Sequence, residues 1–250
     1  MFTMCAYTLS QAVTATPLPL TAIFDGYLTQ SPASGNFLLP NPMRWLAGLG
    51  IGATITQAQF VTPSLREIAT PQVQPLNIGA APVNLQPITY YGMSGPIIPA
   101  NNDCGFSTTN AAAGVERQFG LMFFGDGVRQ PPPGEIITVR ATASNTGAAF
   151  VWTASTFTFD SVLPGIRYAV VGMDVIGANL IAARLVFPNS TVRAGCLARQ
   201  ALATLPNEMF RNGNMGEYGR FNQTAPPGLE ILPSAAGTTQ TILLDLVPLG

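Results

Sequence analysis

Residues 167–188 read RYAVVGMDVIGANLIAARLVFP, the longest strongly apolar run in the chain. From 168 to 175, Ala169, Val171, Met173 and Val175 alternate with Tyr168, Val170, Gly172 and Asp174. From 180 to 187, Ile181, Ala183, Leu185 and Phe187 alternate with Leu180, Ala182, Arg184 and Val186. A period of two belongs to a strand with one apolar and one mixed face. Gly177-Ala178-Asn179 supplies a turn between the halves, and Pro188-Asn189 stops the second. The pattern predicts two neighbouring strands, with the mixed faces of Asp174 and Arg184 turned to a neighbour or to solvent. Helix is the rival over 178–186, where Ala, Leu and Arg are good formers. The length would also suit a membrane span of about 20 residues. Asp174 and Arg184 would each cost roughly 2.5–3.5 kcal/mol near its centre, so no transmembrane span is expected.

The same alternation predicts strands at 20–29 (LTAIFDGYLT), 53–62 (ATITQAQFVT), 119–124 (FGLMFF), 135–144 (EIITVRATAS), 149–159 (AFVWTASTFTF) and the last ten residues. Turns are expected at Gly125-Asp126-Gly127 and Asn145-Thr146-Gly147. Helical patterning is confined to 41–49 (NPMRWLAGL, with Pro at the start) and 196–204. Extended Pro/Gly-rich loops fall at 30–42, 69–105 and 205–238, the middle one too long for a hairpin. No repeat of 20–50 residues shows, which disfavours a solenoid or propeller. The expectation is an all-β fold in one domain, 1–250: an antiparallel β-sandwich, jelly-roll-like because of its long excursions, with one or two short helices.

Composition then limits function. Only 9% of the 250 residues are charged, against about 25% in an ordinary soluble domain. All 11 basic residues are Arg, and there is no His. Biased coding accounts for this, but Arg is also the base favoured at interfaces, where Lys is depleted. A net charge of −1 gives no basic field for nucleic acid. Neither the first twenty residues nor the last ten carry a basic arm, and the start lacks a signal peptide's charged and apolar regions. Cys5, Cys104 and Cys196 are too few and too scattered for a disulfide framework or zinc knuckle, and read as small apolar residues. So few charges favour association of a free monomer. Burial of much of the surface against other subunits resolves this.

Without His and Lys there is no Ser-His-Asp system, His-based metal site, Schiff base or P-loop lysine. Only carboxylate chemistry remains. Asp25, Glu67, Asp103, Glu116, Asp126, Glu135, Asp160, Asp174, Glu208, Glu217, Glu230 and Asp245 are scattered singly. No enzyme activity, catalytic residue, metal, cofactor or small-molecule substrate is expected. The 125–127 turn, Asn101-Asn102-Asp103 and Asn212-Gly213-Asn214 offer oxygens to calcium but read as turns. Trp45, Trp152 and Tyr90-Tyr91 read as packing rather than a sugar platform. Arg193, Arg199, Arg211 and Arg220, diluted by Glu208 and Glu217, suit subunit pairing or a solvated face better than nucleic acid. Asn189-Ser190-Thr191 and Asn222-Gln223-Thr224 match the glycosylation pattern, which means little without a signal peptide.

A resemblance rests on the C-terminal third: the opening stretch, RAGCLARQ, FRNGNMGEYGRFNQTAPPGLEIL and TQTILLDLVP. With the strand pattern, loop lengths and sparse charge of most of the chain, it resembles the jelly-roll coat proteins of viruses, bacteriophages above all. The resemblance implies a self-assembling virion capsid protein that forms a homo-oligomeric shell, contacts other virion proteins and is assembled in the host cytoplasm. Many RNA-virus coats carry the basic arm that this chain lacks. The departure suits a shell over an internal membrane, a shell filled by a motor, or an outer decorating layer. The alternative is a β-sandwich spike or decoration module that binds a glycan or receptor through its aromatic residues.

Overall fold

The structure, a computed structural model, describes all residues except 14, 67–70, 78–88, 112–113, 127–129, 145–146, 165–166, 189, 238 and 250. Two compact units form. The N-terminal unit comprises Met4–Ala81 and Gln86–Gly127, and the C-terminal unit comprises Val128–Gly250 with Met1–Thr3 and Pro82–Leu85.

The N-terminal unit is built from β1 (Phe2–Val13), β2 (Leu18–Ala22), β3 (Thr29–Gln30), β4 (Phe37–Leu38), β5 (Met43–Gly52), β6 (Ile55–Val61), β7 (Gln72–Asn77), β8 (Thr89–Tyr90), β9 (Ile97–Ile98), β10 (Asp103–Asn110) and β11 (Gly114–Gly125). The hydrogen-bonded order is β2-β1-β11-β5-β7-β6-β10, and β10 pairs with β2 again, which closes the ring. The closure works because β2 is shared. Leu18–Leu20 pair with β10, while Thr21 and Ala22 pair with β1. β7 does the same at the opposite corner, through Gln72 and Val73 to β6 and from Gln74 onward to β5 in parallel. A closed ring leaves no long open edge to template aggregation. Inside it pack Tyr7, Trp45, Phe60, Phe106, Met122 and Phe124.

The C-terminal unit contains β12 (Ile137–Ser144), β13 (Thr153–Ser155), β14 (Phe157–Phe159), β15 (Arg167–Ile176), β16 (Leu180–Val186), β17 (Gly195–Arg199), β18 (Gly219–Asn222), β19 (Gly228–Pro233) and β20 (Thr239–Leu249). Its order is β13-β19-β16-β17-β15-β20-β12-β14. Its two ends, β13 and β14, are separated by Thr156 alone, so the chain itself closes this ring.

The two units share one plan. In chain order and sheet position, β1, β2, β5, β6, β7, β10 and β11 correspond to β12, β13 with β14, β15, β16, β17, β19 and β20. Each unit has one parallel pairing at the same place, β5 with β7 and β15 with β17. In each, the excursion after that corner returns to pair with the start of the central strand, through β8 and β9 or through β18. The duplication is invisible at a 20–50-residue period because its unit is about half the chain. The fold is all-β and jelly-roll-like: two-sheet sandwiches joined at shared corner strands.

Several local expectations need correction. The 41–49 segment is strand, not helix: it opens β5. Gly48, Gly50 and Gly52 follow at a period of two, each costing roughly 1 kcal/mol in a helix. They are small because the neighbours leave no room. A Cβ at Gly50 would lie 2.5 Å from Cβ of Ala58, and one at Gly48 would lie 2.8 Å from Cγ1 of Val73. The 196–204 segment is β17 followed by turns. Among the described residues, helix is limited to α1 (Pro63–Arg66) and the single 3-10 turns Gly92–Ser94 and Glu208–Phe210. The strand read over 20–29 ends at Ala22, where Asp25 accepts the amide of Tyr27 at 2.8 Å in a side-chain-capped turn. The strand read over 149–159 breaks at Thr156 as the chain changes sheets. The Asn145-Thr146 turn lies outside the described residues.

The opening stretch does form two strands, β15 and β16, but they are not neighbours. β17 lies between them, parallel to β15 and antiparallel to β16. Both strands are buried on both faces, which is why they read as nearly continuous apolar runs.

Gly50→Val should destabilise the protein by about 1–3 kcal/mol through overpacking, with Gly50→Ala between it and the wild type. Chemical denaturation checks the order. Equal stability of all three would mean that the space at Ala58 is not filled.

Candidate functional site

Charge that sequence alone assigns to a surface is buried in the C-terminal unit. Asp174 and Asp245 are 5% and 0% exposed. On adjacent strands, Gly172 is the register partner of Asp245, and Asp174 lies two residues further along the same face. Gly172 is required there, because the Asp245 carboxylate and the backbone of Arg211 and Asn212 fill the space of a side chain.

Asp245 takes four donors. Arg211 donates through Nε at 2.7 Å and Nη2 at 2.6 Å, the Asn212 amide at 3.0 Å and the Thr138 hydroxyl at 2.7 Å. These fill the acceptor capacity of a carboxylate. Asp174 is gripped by Arg199, through Nε at 3.0 and 3.1 Å and Nη2 at 2.7 Å, with Arg211 Nη1 4.0 Å away. Burial pushes the Asp245 carboxyl up, but the bonds from Arg211, Asn212 and Thr138 outweigh it and hold it below its ordinary value. Arg211 is raised in turn, chiefly by its hydrogen bond to Asp245.

A second pair lies across β16 and β19. Arg184, 1% exposed, is the register partner of Glu230 and donates to it from Nε at 2.7 Å. Its guanidinium lies over the Trp152 ring, 3.9 Å from the centroid. Asp174 and Arg184 were expected to face a neighbour or solvent. They face other charges instead, because a buried charge must be paired.

The arginine cluster resolves the same way. Arg199 and Arg211 serve the two aspartates. Arg193 is buried and donates from Nη1 to the carbonyl of Ser190 at 2.6 Å, and Arg220 pairs with Glu217 at 2.9 Å. Arg193, Arg199 and Arg211 are not the solvated face that the sequence offered as one reading, whereas Arg220 is exposed. Their partners lie far away in sequence in the decisive cases, and no local signal marks them.

Several of the remaining candidates have local partners. Asp103 accepts from Ser34 and, at 2.7 Å, from Asn36, which pins that loop. Asn212 and Gly213 occupy left-handed backbone at φ 54 and 81, and the Gly213 amide donates to Val171 at 2.6 Å. Gly127 and Glu67 lie outside the described residues, as does Asn189 of the first glycosylation match. In the second, the Thr224 hydroxyl donates to Asn222 Oδ1 at 2.8 Å. Trp45 is buried, donates its indole N–H to Ala47 at 2.9 Å and packs on Phe60 and Tyr91. Glu116 accepts from Gln118 and, at 3.0 Å, from the Thr54 hydroxyl. All three cysteines are buried and none forms a disulfide, and burial raises the Cys104 and Cys196 thiols. Among the described residues, no group of three or more metal-ligating side chains is gathered, and no helix is long and apolar enough to cross a membrane.

The linkage of Asp245 has a definite sign. A carboxyl held below its unfolded value of about 3.9 contributes stability that is complete above that pH. The contribution is lost as pH falls through the folded value. Asp245→Asn should cost about 3–5 kcal/mol at pH 7, since it removes the anion hydrogen-bonded to Arg211 and leaves it with Asp174 at 4.0 Å. Its melting temperature should then fall less than the wild type's between pH 5 and pH 2. Parallel melting curves against pH for the two proteins would show that Asp245 is not held by its donors.

No protein-family model matches the chain, and no curated protein matches it in sequence. Among solved structures, it is similar to the major capsid protein P2 from bacteriophage PM2, at 9% identity over 100% of this chain and 98% of that one. The TM-score is 0.26, a likeness that carries no argument about fold or function.

Proposed function

We propose that this chain is a self-assembling structural protein of a virion coat, acting through contacts between copies rather than through catalysis. One observation carries the reading: a chain with few charges spends its best-placed ones internally. Asp174, Asp245, Arg184, Arg199 and Arg211 are withdrawn into pairs. Large apolar side chains stay outside, among them Val115 at 81%, Val162 at 88%, Leu202 at 77% and Leu205 at 72% exposed. A surface that is poor in charge and studded with apolar groups favours association. Rings with no long free edge keep that association away from indiscriminate strand pairing. The glycan-binding alternative is weakened by Trp45, which is consumed by the core.

Residues 1–250 are further proposed to act as one domain. The chain passes between the units within β1, whose Phe2 and Thr3 belong with the C-terminal unit and the rest with the N-terminal one.

Native mass spectrometry and light scattering over a concentration series should show discrete oligomers or particles. A stable soluble monomer at high concentration would overturn the coat reading. Calorimetry should give a single unfolding transition whose calorimetric and van't Hoff enthalpies agree. Two resolved transitions would assign the units to separate domains.

A further inference from the structure

We propose that the loop 201–205 is a preformed apolar knob that seats in the Phe159–Phe221 cleft of a second copy of the chain. This rests on the self-assembly reading and names one of its contacts.

The knob is defined by its anchoring. Single exposed leucines are ordinary on a protein surface, and Leu202 and Leu205 alone would mean little. Their backbone is the unusual part. Arg199 Nη1 donates to the carbonyl of Leu202 at 3.1 Å and to that of Thr204. Nε and Nη2 of the same guanidinium hold the buried Asp174. The Thr204 amide closes a turn onto the carbonyl of Ala201 at 3.1 Å. The carbonyls are thus tied inward to a buried ion pair, while the two leucine side chains stand in solvent. Fixing a loop before it binds removes much of the ordering cost of association. A loop fixed this way with apolar groups outward is a docking element rather than a solvated linker.

The cleft has matching chemistry in the same unit. It measures about 320 Å³ and is lined mainly by Phe159, Val162, Leu163, Phe221 and Pro226, with the polar Asp160, Ser161 and Gln223 beside them. The Phe159 and Phe221 rings lie within 8° of parallel, with centroids 6.4 Å apart. Of the polar lining residues, Asp160 is paired with Arg140 at 2.8 Å. An aliphatic group entering the cleft therefore meets ring faces and methyls and strips no unpaired charge of its water. Because Leu202 and Leu205 are about three-quarters exposed, they do not fill the cleft of their own chain. Knob and cleft are different surfaces: a reciprocal exchange would close a two-fold dimer, and a one-way exchange makes a heterologous contact. Such contacts propagate from copy to copy and close into rings or shells where the rotation permits.

The test uses the full chain. Leu202→Asp with Leu205→Asp, and separately Val162→Asp, should each weaken self-association by about tenfold or more in sedimentation or scattering, as removal of a central anchor does. All these positions are solvent-exposed, and circular dichroism checks that the fold is kept. A positive readout comes from single-cysteine chains. Leu202→Cys and Val162→Cys chains should form a disulfide-linked dimer only when mixed, with the native thiols buried and silent. If the wild type assembles while both aspartate variants assemble equally well and no mixed disulfide forms, the contact is overturned and the coat reading stands. A wild type that stays monomeric overturns both. Should the double variant misfold, Val162→Asp and the mixed disulfide decide.

Discussion

Two aspartates stand on one buried face of the β15–β20 ladder, and nothing about that ladder is acceptable unless guanidinium groups meet them there. Left without cations, Asp174 and Asp245 would repel each other, and their burial would go uncompensated. Arg211 reaches both, and Arg199 completes Asp174. The pairs are poor evidence for large net stability, because desolvation takes back much of what attraction provides. What they impose is register. A one-residue slip of β20 would carry Asp245 to the opposite face, away from Arg211. The position of Gly172, the local irregularity between Val170 and Gly172, and the path of 208–216 all follow from accommodating this one cluster.

The same logic shapes the rings. Parallel strands and corner sharing normally need long connections, and this chain supplies them as Pro/Gly-rich excursions. Segments 69–105 and 205–238 read as loops, yet they deliver β7 to β9 and β18 to β19. These strands are short, and several pair with only two residues of a long central strand. β7, β8 and β9 lie along one edge of β5, and β18 covers the start of β15. Carrying the scheme twice gives each unit a central strand buried on both faces.

The fold class was legible because period-two alternation is local and strong in segments such as 53–62 and 135–144. The 41–49 stretch misled for an equally local reason. Pro, Leu and Ala imitate a helix start, and the glycines that deny it begin only at Gly48, where their meaning depends on Ala58 and Val73 across the core. The duplicated plan was illegible because its two halves share pairing order, not residues. At the site, the identities of Asp174 and Arg184 were read and their placement was not. A strand with an apolar face and a mixed face normally exposes the mixed one. Only long-range partners, Arg199 and Glu230 among them, make burial of both faces tolerable.

The absence of lysine acquires a physical side at these positions. Arg199 bonds a carboxylate with one edge and two backbone carbonyls with another nitrogen, which needs several donors fixed in a plane. A lysine ammonium could satisfy Asp174 or the loop carbonyls, but its point geometry does not span both. Arg184 lies flat over Trp152 while pairing with Glu230, and stacking of that kind belongs to a planar cation. Arg140, by contrast, is a surface pair with Asp160 in which lysine would serve. Biased coding can therefore explain arginine at 140, whereas at 184, 199 and 211 the geometry itself selects it. Of those three, Arg199 and Arg211 let a charge-poor chain bury Asp174 and Asp245, and Arg184 pairs with Glu230.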